Sequence, residues 1–236
     1  MTDKIPQANA MPGIHDFMES YIVGKFGPSY QGTILDAGSG QGAFTYRLKK
    51  RGFQHLAACD LYPEQFCVEG VECRGADITQ SIPWADNSVD VVLLLEVTEH
   101  VDAIRHLFQE AYRVLKPGGF VVFSTPNILS IKSRLRFLLS GYYYSFNPLY
   151  DVDTSALWAH VTPYTLDQYV LRLREVGFAV DEVTTDKWQK SSRIAFLFYP
   201  LIWLYTKLKF KNRKALTWQN SLNALLGRIL VVSAKK

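Results

Sequence analysis

Continuous apolar runs alternate with amphipathic stretches along most of the chain. Short apolar runs bounded by glycine, proline or acidic residues are typical of strands buried on both faces of a sheet. Segments with apolar positions three or four apart, ending at glycine or basic residues, predict the intervening helices. The pattern predicts strands over 33–37, 54–59, 71–76, 89–95, 120–124, 178–184 and 228–234, and helices over 14–23, 42–51, 102–115 and up to Val176.

Strands that alternate with helices predict an α/β domain built on a mostly parallel sheet. In open sheets of this kind, ligands bind at the carboxyl ends of the strands. An acidic residue stands at or just after four predicted strand ends, namely Asp36, Asp60, Asp77 and Glu96. A purely structural account does not predict four carboxylates at one edge, so we expect a binding site there.

The first strand leads into a turn with glycines at positions 38, 40 and 42, followed by a helix. This geometry brings backbone N–H groups and a helix N-terminus up to a ligand. The dinucleotide fingerprint is G-x-G-x-x-G, whereas this turn is G-x-G-x-G preceded by Asp36, which suits a cationic ligand better than a pyrophosphate. Asp60 follows at the roughly 20-residue spacing expected of a carboxylate that binds ribose hydroxyls, a feature that nicotinamide cofactors share.

The 236 residues suffice for one α/β domain with additional segments, and 48% of them are apolar. We therefore expect a single domain over residues 1–236. Three cysteines without metal-binding spacing favour a reducing compartment, and the first residues lack a signal-peptide pattern, so a cytoplasmic location is expected. No apolar run reaches the roughly 18–20 residues that span a bilayer.

Charge is divided unequally along the chain. Residues 1–186 contain all 22 acidic residues and 15 basic ones, whereas residues 187–236 contain 11 basic residues and no acidic one. The last fifty residues or so are therefore expected to face an anionic surface or partner.

Three motifs resemble those of one enzyme family and occur in the family's order. The Asp-x-Gly-x-Gly turn from Asp36 to Gly40 is similar to motif I of the class I S-adenosylmethionine (SAM)-dependent methyltransferases. Residues 96–101, Glu-Val-Thr-Glu-His-Val, resemble the stretch after the fourth strand of ubiquinone-biosynthesis-type small-molecule O-methyltransferases. Residues 113–127 match the same enzymes. The resemblance covers about residues 30–127, with weaker similarity over 160–185.

The resemblance implies a Rossmann-like doubly wound sheet of seven strands, mostly parallel, with an antiparallel last strand and helical cap insertions. It also implies that SAM is the cofactor, and no metal is expected. In this family Asp77 would meet the adenine amino group; the alternative is a carboxylate that only stabilises its own turn. The cofactor-binding residues implied are Asp36, Ala37, Gly38, Ser39, Gly40, Asp60, Leu61, Asp77, Ile78, Glu96 and Val97.

Two histidines, His100 and His160, are candidate catalytic residues. A hydroxyl acceptor has to lose its proton, and histidine is the usual base. His100 lies in the Glu-His-Val stretch near the expected methyl group, and His160 precedes the helix that follows the first insertion. For each, the alternative is a structural histidine that orients a loop or caps a helix. The order Glu-x-x-Glu-His is not the His-Glu-x-x-His motif of zinc proteases.

Two insertions, over 128–160 and 187–226, are expected to converge above the cofactor. The first supplies the predicted substrate-binding residues Tyr142, Tyr143 and Tyr144. The second carries an apolar, aromatic run followed by lysines and arginines up to position 214, and such side chains suit the boundary of an anionic membrane. Residues 194–214 are therefore expected to contact a membrane surface. The alternatives are a cap that buries its own apolar face, and nucleic acid, which the apolar run fits less well.

Together these features predict a SAM-dependent methyltransferase that acts on a small-molecule or lipid-linked acceptor. Methylation of a hydroxyl oxygen is implied by the family resemblance alone. One alternative is a nicotinamide-dependent oxidoreductase, which the glycine spacing disfavours. Another is a non-catalytic SAM-binding protein that acts through its basic tail, which the intact Asp36, Gly38, Gly40 and Asp60 disfavour.

Overall fold

A computed structural model describes residues 5–8, 10–150, 152, 159–190, 196–210 and 218–236. The strands are β1 (Ile34–Ala37), β2 (Leu56–Asp60), β3 (Glu72–Gly75), β4 (Val89–Leu95), β5 (Leu115–Pro126), β6 (Ala179–Thr185) and β7 (Ile229–Lys235). The α-helices are α1 (Ile14–Phe26), α2 (Ala43–Lys50), α3 (Ile104–Val114), α4 (Ile131–Ser140), α5 (Leu166–Val176), α6 (Tyr199–Lys209) and α7 (Leu222–Leu226). Single 3₁₀ turns occupy Pro63–Gln65, Thr98–His100 and Phe196–Phe198.

The seven strands form one sheet in the order β3-β2-β1-β4-β5-β7-β6. The neighbours from β3 to β5 are parallel, whereas β7 is antiparallel to both β5 and β6. After β3 the chain returns to the other side of β1 to form β4, so the strand order reverses between β1 and β4. The predicted doubly wound, mostly parallel sheet with an antiparallel last strand is confirmed.

Helices cover both faces of the sheet. On one face α3 and α5 contribute the fully buried Phe108 and Tyr169, and on the other α1 and α2 contribute Met18 and Leu48. The apolar run of β4 serves both sides, because residues 92 and 94 join the first core and residues 91 and 93 join the second. Burial on both faces explains why the run shows no alternation of polar and apolar residues.

Strand β5 is longer than the pattern predicts. The sequence predicts a turn over 116–119 and a strand from 120, but Leu115 already pairs with Val89. Gly119 permits this early start, since a Cβ atom there would lie 2.8 Å from the carbonyl oxygen of Asp90. The glycines thus serve close approach between strands as well as a turn.

Helix α5 ends at Val176, as the sequence predicts. Thr165 and Gln168 form a capping box at its start, and Gly177, with a φ of 113°, ends it in the left-handed conformation. Because α5 packs against α3 and the sheet, the described residues just before it, which include His160, are held at a fixed place beside the carboxyl edge.

The two predicted insertions are joined to each other. Arg134 of α4 donates a 2.8 Å hydrogen bond to the side-chain oxygen of Asn220, and the Asn220 amide donates to Thr206 of α6 at 3.0 Å. The described helices of the two segments are thus in contact with each other, and their expected position above the cofactor stays a prediction. The insertion bounds 128–160 and 187–226 themselves stay predictions.

Much apolar surface of these insertions is exposed. Leu138 of α4 is 78% exposed, Leu201 of α6 is 64% exposed, and α6 has no buried residue. Residues 151, 153–158, 191–195 and 211–217 lie outside the described residues, so the predicted membrane contact at 194–195 and 211–214 has no structural description. Within the described ranges, no helix combines the length and the apolar character needed to span a bilayer.

Candidate functional site

A cavity of about 540 Å³ opens at the carboxyl edge of the sheet, beside the pair β1 and β4, between which the strand order reverses. Ligands bind at such reversals of strand order, and the volume lies within the range of roughly 300–1,000 Å³ for ligand pockets. The first four strands each contribute residues at or just after their ends. The lining includes the predicted residues Asp36, Gly38, Ser39, Gly40, Asp60, Leu61, Asp77, Ile78, Glu96, Val97, His100 and His160.

The glycine turn after β1 lies tightly against two other elements. Gly38 has a φ of 81°, and a Cβ atom there would lie 2.6 Å from a methyl group of Val97. Its N–H donates a 2.8 Å hydrogen bond to the carbonyl oxygen of Cys59 in β2. Glycine is therefore needed at position 38 both for the backbone conformation and for contact with the segment after β4.

Asp60, at the end of β2, is bound to the glycine turn. One carboxylate oxygen accepts a 2.7 Å hydrogen bond from the N–H of Gly40, and the other accepts from the N–H of Tyr62 at 3.0 Å. Each oxygen has a second lone pair for a ligand. The carboxylate is thus fixed in the cavity before any ligand binds.

Asp36 is a buried carboxyl group at the end of β1, with 4% of its surface exposed. Burial raises its pKa to about 6, although the Thr45 hydroxyl opposes this effect by donating a 2.6 Å hydrogen bond. A nearby cationic ligand would offset the cost of charging this buried group.

Asp77, after β3, has a local structural role as well as a place in the cavity. One of its oxygens accepts hydrogen bonds from the backbone N–H of Thr79 at 2.9 Å and from the Thr79 hydroxyl at 2.6 Å. This pattern is an Asx turn. The neighbouring Ile78 lines the cavity, with its Cδ1 atom 3.7 Å from the position of a Cβ atom on Gly38. The predicted adenine contact of Asp77 stays a prediction.

Glu96 follows β4 with a φ of 54°, which is uncommon outside glycine. Ser124 of β5 holds it in two ways: its hydroxyl accepts from the Glu96 N–H and donates to the Glu96 carboxylate, each at 3.0 Å. Burial raises the pKa of Glu96 to about 7, against the effect of the Ser124 hydrogen bond. Strained backbone of this kind is often found at functional sites.

Two segments 60 positions apart meet beside the cavity. The backbone N–H groups of Val161 and Thr162 both donate to the carbonyl oxygen of Glu99, at 2.9 and 3.1 Å. As a result the rings of His100 and His160 lie in an edge-to-face arrangement with centroids 4.7 Å apart. Ligand atoms of Glu99, His100 and His160 all lie within 4.8 Å of one another.

The electrostatic setting of this group is unusual. Burial lowers the pKa of His160 to about 4, helped by His100 and opposed by the backbone of Ser145. Burial also lowers the pKa of His100. The carboxyl group of Glu99 is fully buried, and burial raises its pKa well above the usual range, with the nearby Glu96 adding to the effect.

Four predicted site residues do not line the cavity. Ala37 is fully buried in β1, where it pairs with Cys59, so its side chain belongs to the core. Tyr142 is 43% exposed, Tyr143 stacks on Phe137 with ring centroids 4.4 Å apart, and Tyr144 lies under the ammonium group of Lys132. Substrate binding by the three tyrosines stays a prediction.

Several lining residues were not predicted. Gln7, Ala8 and Ala10 come from the irregular first segment, which is held over the turn by a 3.1 Å hydrogen bond from the N–H of Gln7 to the side chain of Gln41. His15 also lines the cavity and packs against Phe44. No periodic signal marks the first segment, because it has no regular structure.

Comparison with known proteins identifies the central part of the chain. Residues 35–123 match the family model described as a methyltransferase domain. An uncharacterised methyltransferase-like protein of Schizosaccharomyces pombe is 34% identical over 123 residues, which are 50% of this chain and 47% of the relative. An uncharacterised methyltransferase of Mycobacterium sp. (strain JLS) is 35% identical over 95 residues, 39% of this chain and 38% of the relative. The chain thus spans less than half the length of these curated relatives.

Solved structures share the fold over nearly the whole chain. A SAM-dependent methyltransferase from Archaeoglobus fulgidus superposes with a TM-score of 0.60 at 18% identity, covering 94% of each chain. The geranyl diphosphate C-methyltransferase of Streptomyces coelicolor A3(2), solved with Mg²⁺, geranyl diphosphate and S-adenosyl-L-homocysteine, superposes with a TM-score of 0.54 at 15% identity, covering 94% of this chain and 79% of that one. At these identities the likeness shows the fold.

The family match begins in β1 and ends in β5, so it includes four of the strands that form the edge of the cavity. Sequence and fold lead to the same group of proteins, and neither favours a nicotinamide-dependent oxidoreductase. The ubiquinone-biosynthesis type stays a suspected resemblance within that group. Over residues 35–123 the chain is similar to methyltransferase domains, and its fold is that of the SAM-dependent methyltransferases.

Proposed function

We propose that the chain transfers the methyl group of SAM to a hydroxyl oxygen of a small-molecule or lipid-linked acceptor. The observation that carries the proposal is that one cavity contains both the carboxylate-bearing turn around Asp36 and Asp60 and the paired rings of His100 and His160. The first set suits a nucleoside with cationic groups, and the second suits the polar group of an acceptor.

The residues at the glycine turn fit the cofactor. When bound, SAM supplies a methyl group activated by a positively charged sulfur. Asp60 keeps lone pairs available for the two ribose hydroxyls, which would form charge-assisted hydrogen bonds. Gly38 and Gly40 let the backbone approach the ligand closely. Asp36 supplies buried negative charge beside a ligand that carries positive charge.

The two histidines are the proposed groups that act on the acceptor hydroxyl. With its pKa at about 4, His160 is neutral near pH 7 and has a lone pair available. Such a ring is also a weak base, since it holds a proton in roughly one molecule in a thousand at that pH. Positioning of the acceptor can supply roughly 7–11 kcal/mol of the barrier reduction, but activation of the hydroxyl needs a further contribution.

We further propose that α4 and α6 bring the domain to an anionic membrane surface on which a lipid-linked acceptor is carried. Large apolar side chains are exposed on both helices, and Lys207 lies over the ring of Trp203 at 4.6 Å, a combination that suits a lipid interface. The alternative is a second protein that covers the same helices. Sedimentation with vesicles of anionic lipid, compared with zwitterionic vesicles and with added salt, tests the proposal.

Calorimetric titration with S-adenosyl-L-homocysteine tests the cofactor site, with NADH as the competing ligand. Asp60→Asn is expected to abolish binding, whereas the matched surface variant Asp86→Asn should retain it. Asn keeps one oxygen that can accept the hydrogen bond of Gly40, whereas its NH₂ group cannot accept from Tyr62, so an unfolding transition measured on each variant checks that it is folded. Binding of NADH in place of the homocysteine compound would overturn the proposal.

A second experiment identifies the methylated atom. Incubation with methyl-labelled SAM and phenolic or lipid-linked hydroxyl acceptors, followed by mass spectrometry and NMR of the product, should show a new O–CH₃ group. A new C–CH₃ or N–CH₃ group would refute methylation at oxygen while leaving the cofactor assignment intact.

A further inference from the structure

The charged groups that line the cavity are unequally divided. Four of the lining residues are acidic, namely Asp36, Asp60, Asp77 and Glu96, and none of the described lining residues is a lysine or an arginine. SAM and its demethylated product both end in an α-amino acid group, which carries an ammonium and a carboxylate. The acidic residues suit the ammonium, whereas the carboxylate needs hydrogen-bond donors, which ionised carboxyl groups do not have.

The glycine turn supplies few donors for such a carboxylate. The N–H groups of Gly38 and Ser39 both donate to the carbonyl oxygen of Cys59, at 2.8 and 3.2 Å. The N–H group of Gly40 donates to the Asp60 carboxylate at 2.7 Å. The turn thus uses these backbone donors to hold its own shape, and the carboxylate of the ligand has to be bound by another element.

His15 offers a donor in the wall of the cavity. It lines the cavity and packs on Phe44, and none of the hydrogen bonds between described residues engages its ring. Burial lowers the pKa of His15, with the Arg47 guanidinium adding to the effect and Asp16 opposing it. The ring is therefore neutral near pH 7, and one of its two nitrogens carries a proton that it can donate to a ligand.

The position of His15 is fixed relative to the glycine turn. Helix α2 follows the turn directly, and Glu19 of α1 accepts hydrogen bonds from Arg47 and Arg51 of α2. Asp16 of α1 also pairs with Arg47. These contacts hold the start of α1 against α2. They also engage Arg47, which is not among the lining residues, so His15 rather than this arginine faces the ligand.

The other two histidines of the cavity are engaged elsewhere. The Nδ1 atom of His100 lies 3.0 Å from the carbonyl oxygen of Ala159, and the ring of His160 lies against those of His100 and Phe146. These two histidines are the residues proposed to act on the acceptor hydroxyl. His15 belongs to a different part of the chain and contacts the first turn of α2, beside the glycine turn.

We propose that His15 binds the carboxylate of the amino acid part of SAM, an inference that rests on the proposed function. The ring N–H group donates a charge-assisted hydrogen bond to this carboxylate, while the acidic edge of the cavity attracts the ammonium. His15 is then a determinant of specificity, because it distinguishes SAM and S-adenosyl-L-homocysteine from adenosine compounds that have no amino acid part.

Calorimetric titration with three adenosine compounds tests the proposal without turnover. S-adenosyl-L-homocysteine carries both the amine and the carboxylate, its decarboxylated derivative keeps only the amine, and 5′-methylthioadenosine has neither. His15→Phe keeps an aromatic ring against Phe44 but removes the N–H group. This variant should bind S-adenosyl-L-homocysteine about 10–100-fold more weakly than wild type, the effect of one charge-assisted hydrogen bond, and should bind the other two compounds as wild type does.

Two further variants serve as controls. His15→Gln restores an N–H group and should recover part of the affinity for S-adenosyl-L-homocysteine. His55→Phe, at an exposed histidine outside the cavity, should leave all three affinities unchanged. An unfolding transition shows that each variant is folded. In wild type, which needs no substitution, the NMR resonances of the His15 ring should shift more with S-adenosyl-L-homocysteine than with its decarboxylated derivative.

The outcomes separate this subsite from the proposed function. If wild type binds S-adenosyl-L-homocysteine and His15→Phe binds it as tightly, or loses affinity equally for all three compounds, the carboxylate subsite is overturned alone. An equal loss for the homocysteine compound and its decarboxylated derivative, with 5′-methylthioadenosine unaffected, would place the amine at His15 and also overturn it. Wild type that binds none of the three compounds would refute the proposed function and, with it, the subsite.

Discussion

The hydroxyl of Thr45 donates a 2.6 Å hydrogen bond to the carboxylate of Asp36, joining the first turn of α2 to the end of β1. This single donor does not compensate for the burial of the carboxylate, since the Asp36 pKa is still raised to about 6. The protein therefore keeps a carboxylate in its cofactor cavity at the expense of the stability of the empty domain.

Asp36→Asn is expected to stabilise the ligand-free protein near pH 7.5. A carboxyl group whose pKa rises on folding contributes stability below its unfolded pKa and loses it as the pH rises through the folded value. Between pH 4 and pH 7, the free energy of unfolding of the wild type should therefore fall by about 2–3 kcal/mol relative to that of the variant. Urea unfolding at both pH values measures the difference, and the variant should bind S-adenosyl-L-homocysteine poorly.

Asp86→Asn is the control for that change. Asp86 is exposed and pairs with Arg113 at 2.8 Å, so its loss should lower the stability by less than about 1 kcal/mol. If the difference in free energy of unfolding between Asp36→Asn and wild type does not increase from pH 4 to pH 7, the explanation by burial of the carboxylate is wrong.

Gly38→Ala should destabilise the domain more than Gly13→Ala. Gly13 has a φ of 84° and Gly38 a φ of 81°, so an alanine at either position introduces about 1–2 kcal/mol of backbone strain. Only at Gly38 does the new Cβ atom also meet Val97, at 2.6 Å; nothing lies within 4 Å of it at Gly13. Chemical denaturation and the affinity for S-adenosyl-L-homocysteine measure the two effects, and equal stability of the two variants would contradict the predicted contact with Val97.

Glu19→Gln should weaken the contact between α1 and α2. Burial raises the pKa of Glu19, but hydrogen bonds from Arg51 and Arg47 outweigh it and lower the pKa below its ordinary value. The contribution of Glu19 to the stability of the fold is therefore present above pH 4.5 and is lost as the pH falls through the pKa of the folded state. Because both arginines are partly exposed to solvent, the expected loss at pH 7 is about 1–2 kcal/mol.

Thermal or urea unfolding across pH 3–7 checks this behaviour, with Glu64→Gln at an exposed position as the matched variant. The difference in stability between Glu19→Gln and wild type should decrease toward pH 3. A constant difference at all pH values would show that the substitution acts through packing rather than through charge.

Replacing Leu201 and Trp203 of α6 together by serine should abolish sedimentation with anionic vesicles. The two side chains are 64% and 50% exposed, so the change should leave unfolding and cofactor affinity almost unaltered. Leu171→Ser on α5, at a leucine that is 51% exposed outside the insertions, is the control. Vesicle binding that survives the double change would exclude α6 as the membrane contact.

The fold and the acidic edge of the cavity follow from local patterns. Short apolar runs bounded by glycine or acidic residues predict the strands. Because parallel strands place their carboxyl ends at one edge of the sheet, Asp36, Asp60, Asp77 and Glu96 are expected to lie together there. Strand β5 was predicted too short because a Lys-Pro-Gly-Gly stretch resembles a turn. Only the tertiary contact between Gly119 and Asp90 shows that it is part of the strand.

The acceptor end could not be predicted in the same way. Glu99 stands between a threonine and a histidine, a polar stretch that is typical of exposed turns, yet it is fully buried. Its proximity to His160 depends on hydrogen bonds from Val161 and Thr162, which are 62 and 63 positions further along the chain. No local pattern encodes such a long-range pairing.

The hydrogen bonds from Arg134 to Asn220 and from Asn220 to Thr206 have a consequence for how the domain meets a large surface. A further hydrogen bond runs from Arg134 to the carbonyl oxygen of Gln219, so α4 and α6, each with exposed apolar side chains, cannot approach a surface independently of each other. On the membrane surface proposed above, contact through α4 would hold α6 at a high effective concentration beside the same surface, so that two weak contacts would act as one strong contact. Asn220→Ala removes the hydrogen bond to Thr206 and should therefore weaken attachment to anionic vesicles without removing an apolar side chain.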